Sequence, residues 1–390
     1  MEFPPPPEPV ESVEAPGLRQ RIDDGEAVTL LDTRPVDKYE RWHIGGESVT
    51  THNIPFTAFQ GEDIEEGTLE GLPTDRTITA VCAIGRSSEY VAGVLAERGY
   101  NVEHLADGME GWARVYDAVE VTGYEGPGRV WQYQRPSSGC LGYLVVDGEE
   151  AAVVDPLRAF TERYLTDASE RGATLTYAID THVHADHVSG LRRLAGRGVE
   201  GVIPTPATER GLVDADELRL VRDGDSVQVG TVSVEAVHVP GHTSGMTALS
   251  VGSNLLLTGD TLFIDSVGRP DLEADDEGVS AAARQLHASL ETLLARPGAT
   301  LVCPGHHSET TTRAADGTYT ARLGDVRDLG ILSLSRDQFV ETVLADMPPR
   351  PSNDGVIVAT NLGRQDPDDE AAFTLELGPN NCAATQSSGD

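Results

Sequence analysis

Thr181-His182-Val183-His184-Ala185-Asp186-His187 sets three histidines and an aspartate side by side, just after the strand-like run Leu175 to Ile179 and its polar end at Asp180. Three signals follow in order: Val239-Pro240-Gly241-His242-Thr243, Leu257-Thr258-Gly259-Asp260-Thr261 and Cys303-Pro304-Gly305-His306. In each, an apolar run ends in a glycine turn that presents one His or Asp. Strand ends along a sheet edge supply metal ligands in this way. His182 and His184 are alternate residues leaving a strand, so an extended backbone puts both on one side. A turn at Ala185 turns Asp186 and His187 toward the same cavity. The candidates His182, His184, Asp186, His187, His242, Asp260 and His306 could hold two metals with Asp260 bridging, or one metal through a smaller subset that leaves open positions. A lone histidine is usually a cap or a core polar group. Four signals at successive strand ends argue against that reading.

The chain around these motifs is 390 residues long, too long for one core, so two domains are expected. Residues 1–12 form a Pro/Glu head without structure of its own. Residues 13–118 read as an α/β unit. Val28 to Asp32 and Ile78 to Val81 are strands, and Val91, Val94 and Leu95 give Ser87 to Arg98 a helical period ended by Gly99. Strands alternating with helices imply a parallel sheet. Residues 119–129 read as a linker, because Glu120 to Gly128 carries three glycines and a proline. Residues 130–363 form the second unit. It opens with strands Leu141 to Val146 and Ala151 to Val154 around a turn at Asp147-Gly148, and has helices at Ala159 to Arg171 and Ser280 to Leu294. Residues 364–390 are an acidic C-terminal segment, mobile toward its end.

The formal net charge is -35 and Lys38 is the only lysine. Such a surface suits high salt, where self-repulsion is screened, and repels nucleic acid and anionic membranes. A disordered acidic chain is excluded by the 39% hydrophobic content and the periodic segments. Cys82, Cys140, Cys303 and Cys382 are far apart with no C-x-x-C pair, which fits a reducing cytoplasm rather than a disulfide framework. There is no apolar signal core at the N-terminus and no run of spanning length. A cytoplasmic location is expected, with no membrane partner and room for a homodimer.

The order of the metal signals resembles the metallo-β-lactamase superfamily over roughly Val130 to Gly363, which implies an αββα sandwich with its metal site at one edge of the two sheets. Within it, Thr261 to Asp271 resembles the segment after the metal aspartate in persulfide dioxygenases. Asp155-Pro156 matches an early strand end, and Pro348-Pro349-Arg350-Pro351-Ser352-Asn353 and Asn361-Leu362-Gly363 resemble that branch's C-terminal segment. The resemblance implies one Fe(II) held by His182, His242 and Asp260, the facial arrangement that leaves positions for oxygen and substrate. His184, Asp186, His187 and His306 are then outer groups, or ligands of an alternative second metal, and Arg269 is expected near the thiol substrate's carboxylate. The glyoxalase II branch shares the metal motifs but grips glutathione largely with lysines, and this chain has none after Lys38. His307 and Ser308 stand where several members place an aromatic residue.

Cys82-Ala83-Ile84-Gly85-Arg86-Ser87-Ser88 lies between a strand and a helix, where backbone N–H groups, the helix dipole and Arg86 favour a thiolate or persulfide anion. With Leu30 to Pro35, Tyr39 to Ile44 and Leu105 to Trp112 it resembles rhodanese domains over residues 15 to 115. In such domains Cys82 carries sulfane sulfur, and Asp32 and Arg34 support the loop. Arg86 stands four residues after the cysteine, one fewer than is common. Cys140 and Cys303 read as small core residues and Cys382 as part of the mobile tail.

The expectation is therefore an α/β rhodanese-like domain followed by an αββα metallo-β-lactamase-fold persulfide dioxygenase. It would oxidise a low-molecular-weight thiol persulfide with oxygen to sulfite and thiol, with Cys82 passing sulfur to or from a donor or acceptor. The alternatives are a hydroxyacylglutathione hydrolase-like thioester hydrolase with two zincs, and a non-catalytic persulfide-binding module.

Overall fold

Val28-Thr29-Leu30-Leu31-Asp32 is buried along its whole length, as a strand covered on both faces must be. It is β2 of a parallel sheet. With β1 (Glu11–Val13), β3 (Val49–Asn53), β4 (Ile78–Val81) and β5 (Val102–Leu105) it gives the order β1-β5-β4-β2-β3. The helices are α1 (Ala15–Asp23), α2 (Val36–Arg41), α3 (Arg86–Ala96) and α4 (Gly108–Trp112). From β2 the chain turns outward to β3, and from β4 it turns the other way to β5. The carboxyl ends of β2 and β4 thus flank a switch in strand order, where open α/β sheets bind ligands. Cys82 directly follows β4. The computed structural model describes residues 5–60, 64–273, 278–308, 310–345, 347–379 and 381–384.

This first unit runs through Tyr116, with Arg135–Ser138 and Leu377–Pro379. The second begins at Asp117. There β6 (Asp117–Glu120) pairs with β7 (Arg129–Gln134), so Glu120 closes a strand and Val121 is buried before the glycine turns of the expected linker. The sheet continues through β8 (Leu141–Asp147), β9 (Glu150–Val154), β10 (Thr174–Ile179), β11 (Glu200–Pro204) and β12 (Arg219–Val221), in the order β12-β11-β10-β9-β8-β7-β6. Helices α5 (Thr161–Glu170) and α6 (Leu191–Ala195) pack on β10 and β11. The second sheet is β13 (Ser226–Val229), β14 (Val232–His238), β15 (Thr247–Val251), β16 (Leu255–Gly259), β17 (Leu301–Pro304) and β18 (Ala321–Arg322), paired in sequence order.

Strand period explains the layers. In β16, Leu255 and Leu257 enter the core shared with Tyr143, Val145, Val154 and Ile179 of the first sheet. The intervening Leu256 points the other way, against Leu286, Leu290 and Leu293 of α7 (Val279–Leu294). Beyond α8 (Leu323–Val326), Phe339 and Val343 of α9 (Arg336–Ala345) close that outer layer. The result is the αββα sandwich the sequence implied. α10 (Asp354–Asn361), and α11 (Asp369–Leu375) in the acidic C-terminal segment, fold onto the loop after β10, Ile357 and Ala372 meeting Val188. Among the described residues no helix is long and apolar enough to cross a membrane.

Candidate metal centre

Pairing directions collect the ligand-bearing turns at one edge. β9, β10 and β11 are parallel, and β14, β16 and β17 run in one direction, so the residues after each emerge together. The glycines permit this. Gly241 has φ +140° and a Cβ there would run into the backbone of Leu286. Gly305 packs so closely that a Cβ would meet Asp260 Oδ1 at 2.5 Å.

His182, His242 and Asp260 converge, all buried. Asp260 Oδ2 stands 3.4 Å from His242 Nε2 and 3.8 Å from His182 Nε2. These three atoms have no hydrogen-bond partner. Leaving such atoms buried and unsatisfied is costly, and a cation between them relieves it. The opposite ring atoms are fixed: His242 Nδ1 meets the Arg269 carbonyl at 2.9 Å, and His182 Nδ1 meets Thr181 Oγ1 at 2.9 Å. Burial, with His184 beside it, holds His182 well below the usual imidazole range, and burial lowers His242 too. Burial would raise the Asp260 carboxyl, but His306, His242 and His182 outweigh it and hold it below the ordinary carboxylate range. Two neutral imidazoles and an ionised carboxylate are the state in which these groups bind a divalent metal.

His306 is engaged on both sides. Its Nδ1 lies 2.7 Å from Asp260 Oδ1 and its Nε2 lies 2.9 Å from Asp186 Oδ2. Burial would push its pKa down, but Asp260 and Asp186 prevail and hold it well above the usual value. His187 Nδ1 also reaches Asp186 Oδ2, at 3.2 Å. His184 Nε2 is held by Asp155 Oδ1 at 3.1 Å, and Asp155 also accepts from the Thr181 N–H and hydroxyl. His184 Nδ1, Asp186 Oδ1 and His187 Nε2 have no hydrogen-bond partner. All seven predicted ligands thus stand in one buried cluster.

Arg269 requires a correction. It is 1% exposed, and its guanidinium is saturated. Two nitrogens pair with Asp271 at 2.7 and 2.9 Å, and the remaining bonds go to the carbonyls of Pro348, Pro349 and Asn381. No donor remains for a substrate carboxylate. Arg269 instead ties the segment after Asp260 to two late stretches of chain, while its own carbonyl orients His242. Cys140 and Cys382 are corrections too. Cys140 Sγ lies 3.4 Å from Asp186 Oδ2 and belongs to the cluster. Cys382 is 1% exposed, beside Asp260 and His306. Its segment is laid down by bonds from Arg269 N to its carbonyl (3.1 Å) and from Ala384 N to the Val267 carbonyl (2.9 Å). Cys303 is a core residue, as expected. Asn361 was missed as a brace: its Nδ2 donates to the carbonyls of His184 and His187 at 3.0 and 2.9 Å.

Residues 137–306 match the metallo-beta-lactamase superfamily and residues 14–115 the rhodanese-like domain. Persulfide dioxygenase ETHE1, mitochondrial, of Bos taurus is 31% identical over 247 residues, which is 62% of this chain and 90% of that protein. The chain belongs to the persulfide dioxygenase and glyoxalase II-like family of the metallo-beta-lactamase superfamily. It carries a rhodanese-like domain in front. The crystal structure of ETHE1 from Myxococcus xanthus is 28% identical, with a TM-score of 0.51, over 60% of this chain and 97% of that one. A hydroxyacylglutathione hydrolase of Synechococcus is 35% identical over 173 residues, 42% of this chain and 63% of that protein. The metallo-beta-lactamase fold implies metal binding, and the buried His/Asp cluster is the candidate site for it.

In the rhodanese-like domain, Cys82 is 3% exposed and receives the Ser88 hydroxyl at 3.3 Å. Gly85, at φ +81°, turns the chain into α3, and Arg86 opens that helix with an exposed side chain. Gly108 packs on the Cys82 carbonyl so tightly that a Cβ would collide with it. Arg34 and Asp32 form a buried bidentate pair, and Arg34 also donates to the Trp42 carbonyl. That pair fixes the turn after β2, beside the Cys82 loop.

Proposed function

We propose that the second unit oxidises a low-molecular-weight thiol persulfide to sulfite and thiol at a single iron. The observation that carries this is the set of three unpartnered atoms, His182 Nε2, His242 Nε2 and Asp260 Oδ2, converging beside a His306 whose ring nitrogens are both engaged by carboxylates. Likeness to ETHE1 over nine-tenths of that protein's length supports the same chemistry. His182, His242 and Asp260 would hold the iron, which when bound supplies the redox chemistry that joins oxygen to sulfur. Overall, R–S–SH, O2 and water give R–SH and H2SO3. The protein orients the ligands through Thr181 and the Arg269 carbonyl. Burial of every ligand keeps bulk water from a reactive site. Both ring nitrogens of His306 face carboxylates, Asp260 Oδ1 and Asp186 Oδ2, which raise its pKa and favour its role as an outer group beside the iron ligands.

The two-zinc thioester hydrolase draws on the unpartnered His184 Nδ1, Asp186 Oδ1 and His187 Nε2 and on the likeness to hydroxyacylglutathione hydrolase. That relative spans less of its own length against this chain than ETHE1 does, 63% against 90%. In an oxygen electrode, iron-loaded protein should consume oxygen on addition of a thiol persulfide and form an equal amount of sulfite. Thioester hydrolysis without oxygen uptake would establish the hydrolase instead.

For the first unit, sulfur transfer through Cys82 is proposed. The Cys82 thiolate attacks the sulfane sulfur of a donor such as thiosulfate, forming the Cys82 persulfide and releasing sulfite. An acceptor thiolate then takes the outer sulfur and frees the Cys82 thiolate, giving the thiol persulfide that the second unit consumes.

A further inference from the structure

The last described stretch of chain, residues 381–384, lies antiparallel to residues 267–269. Ala383 bridges Gly268, the Arg269 N–H donates to the Cys382 carbonyl at 3.1 Å, and the Ala384 N–H donates to the Val267 carbonyl at 2.9 Å. Arg269 Nη1 adds a bond to the Asn381 carbonyl at 2.8 Å. Side chains alternate along such an extended strap. Cys382 and Ala384 are 1% and 3% exposed, and Ala383 between them is only partly buried. Ala384 packs into the outer core with Leu262 and Val267. The strap is thereby fixed on both sides of Cys382, and it carries that thiol into the metal cluster. Cys382 Sγ, an Asp260 carboxylate oxygen and a His306 ring nitrogen all lie within 4.8 Å of one another.

A buried cysteine is ordinarily a small apolar filler. The setting of this one argues otherwise. The same Asp260 faces His182 Nε2 and His242 Nε2, and those two nitrogens and Asp260 Oδ2 are buried without a hydrogen-bond partner. Ligand atoms around a four-coordinate metal stand about 3.4–3.8 Å apart, given bonds of about 2.0–2.3 Å. The spacings of 3.4 and 3.8 Å from Asp260 Oδ2 to the two imidazoles already match. A small rotation of the Cys382 side chain brings its sulfur to the same spacing. We infer that Cys382 is a ligand of the metal centre, its thiolate joining His182, His242 and Asp260 on a divalent metal while the thiol proton passes to solvent. In the metal-free protein, burial and the Asp186 and Asp260 carboxylates keep the thiol well above its ordinary range. A cation reverses that balance, because a coordinating thiol is deprotonated. The inference rests on the cluster being a metal site and not on which reaction the metal serves. A thiolate favours iron(II), cobalt(II) or zinc over magnesium and manganese. It also puts a protein sulfur on the metal before any substrate sulfur arrives.

Cobalt(II) added to the metal-free full-length protein tests this without turnover. The expected result is a near-ultraviolet sulfur-to-cobalt charge-transfer band in the parent, lost in both Cys382→Ser and Cys382→Ala and retained in Cys140→Ser. Cys140 is the necessary control, because its Sγ also lies in the cluster, 3.4 Å from Asp186 Oδ2. Zinc affinity, read by competition with a chelator, should fall in Cys382→Ser by about 10-fold or more, since even the outer partners of a ligand are worth that much. No band in the parent, a band kept in the Cys382 variants or lost in Cys140→Ser, or an unchanged zinc affinity would overturn the ligand. Visible cobalt absorption unchanged in Asp260→Ala would instead place the metal outside this cluster, and the metal-centre reading itself would fail.

Discussion

Asp260→Ala should reduce persulfide-dependent oxygen uptake to background and strip the protein of tightly held metal. Asp260 makes two separate contributions. Oδ2 faces His182 and His242, and Oδ1 pairs with His306. Altering groups that merely support a ligand costs about 10- to 100-fold in metal affinity, so loss of a ligand is expected to exceed that. Removing one member of a buried ion pair destabilises by about 3–5 kcal/mol where no other partner remains. Asp186 stays on His306 Nε2, so the metal-free variant should fall at or below the lower end of that range. Metal analysis and chemical denaturation of the apoprotein separate the two effects. Wild-type oxygen uptake in Asp260→Ala would move the reaction away from this cluster.

Cys82→Ser should abolish thiosulfate-to-thiol sulfur transfer while leaving metal content and oxidation of a preformed thiol persulfide intact. Only the cysteine sulfur can carry the sulfane atom; a serine oxygen at the same place cannot form the persulfide. Every residue proposed to hold the iron belongs to the second unit, so the two activities should separate cleanly. The substituted side chain keeps the size of the original and its place beside the Ser88 hydroxyl, so the fold should persist. Transfer measured as thiocyanate formation from thiosulfate and cyanide reports this directly. Transfer retained at the parent rate would assign the nucleophile to another thiol.

The convergence of the His and Asp side chains was legible because each follows an apolar run and a turn, both local patterns. Strand direction then brings the ends together, and the αββα layering follows from the period of residues such as Leu255, Leu256 and Leu257. What escaped is long-range. Cys382 looks like part of a polar tail until hydrogen bonds from Arg269 and Ala384 draw it beside Asp260. Cys140 acquires its setting only when the Cys140–His306 bridge aligns two distant strands. The Arg269 segment was recognised, but its partners include carbonyls near residues 348 and 381, and a sequence does not show which carbonyls an arginine will reach.

We propose that this cluster holds one iron at His182, His242 and Asp260. Metal analysis of protein prepared without oxygen and supplied with both iron and zinc tests it most directly. The expected result is a single iron per chain, absent from Asp260→Ala, with oxygen uptake proportional to iron content. Two zincs per chain, with full activity toward a thioester and no oxygen uptake, would contradict it.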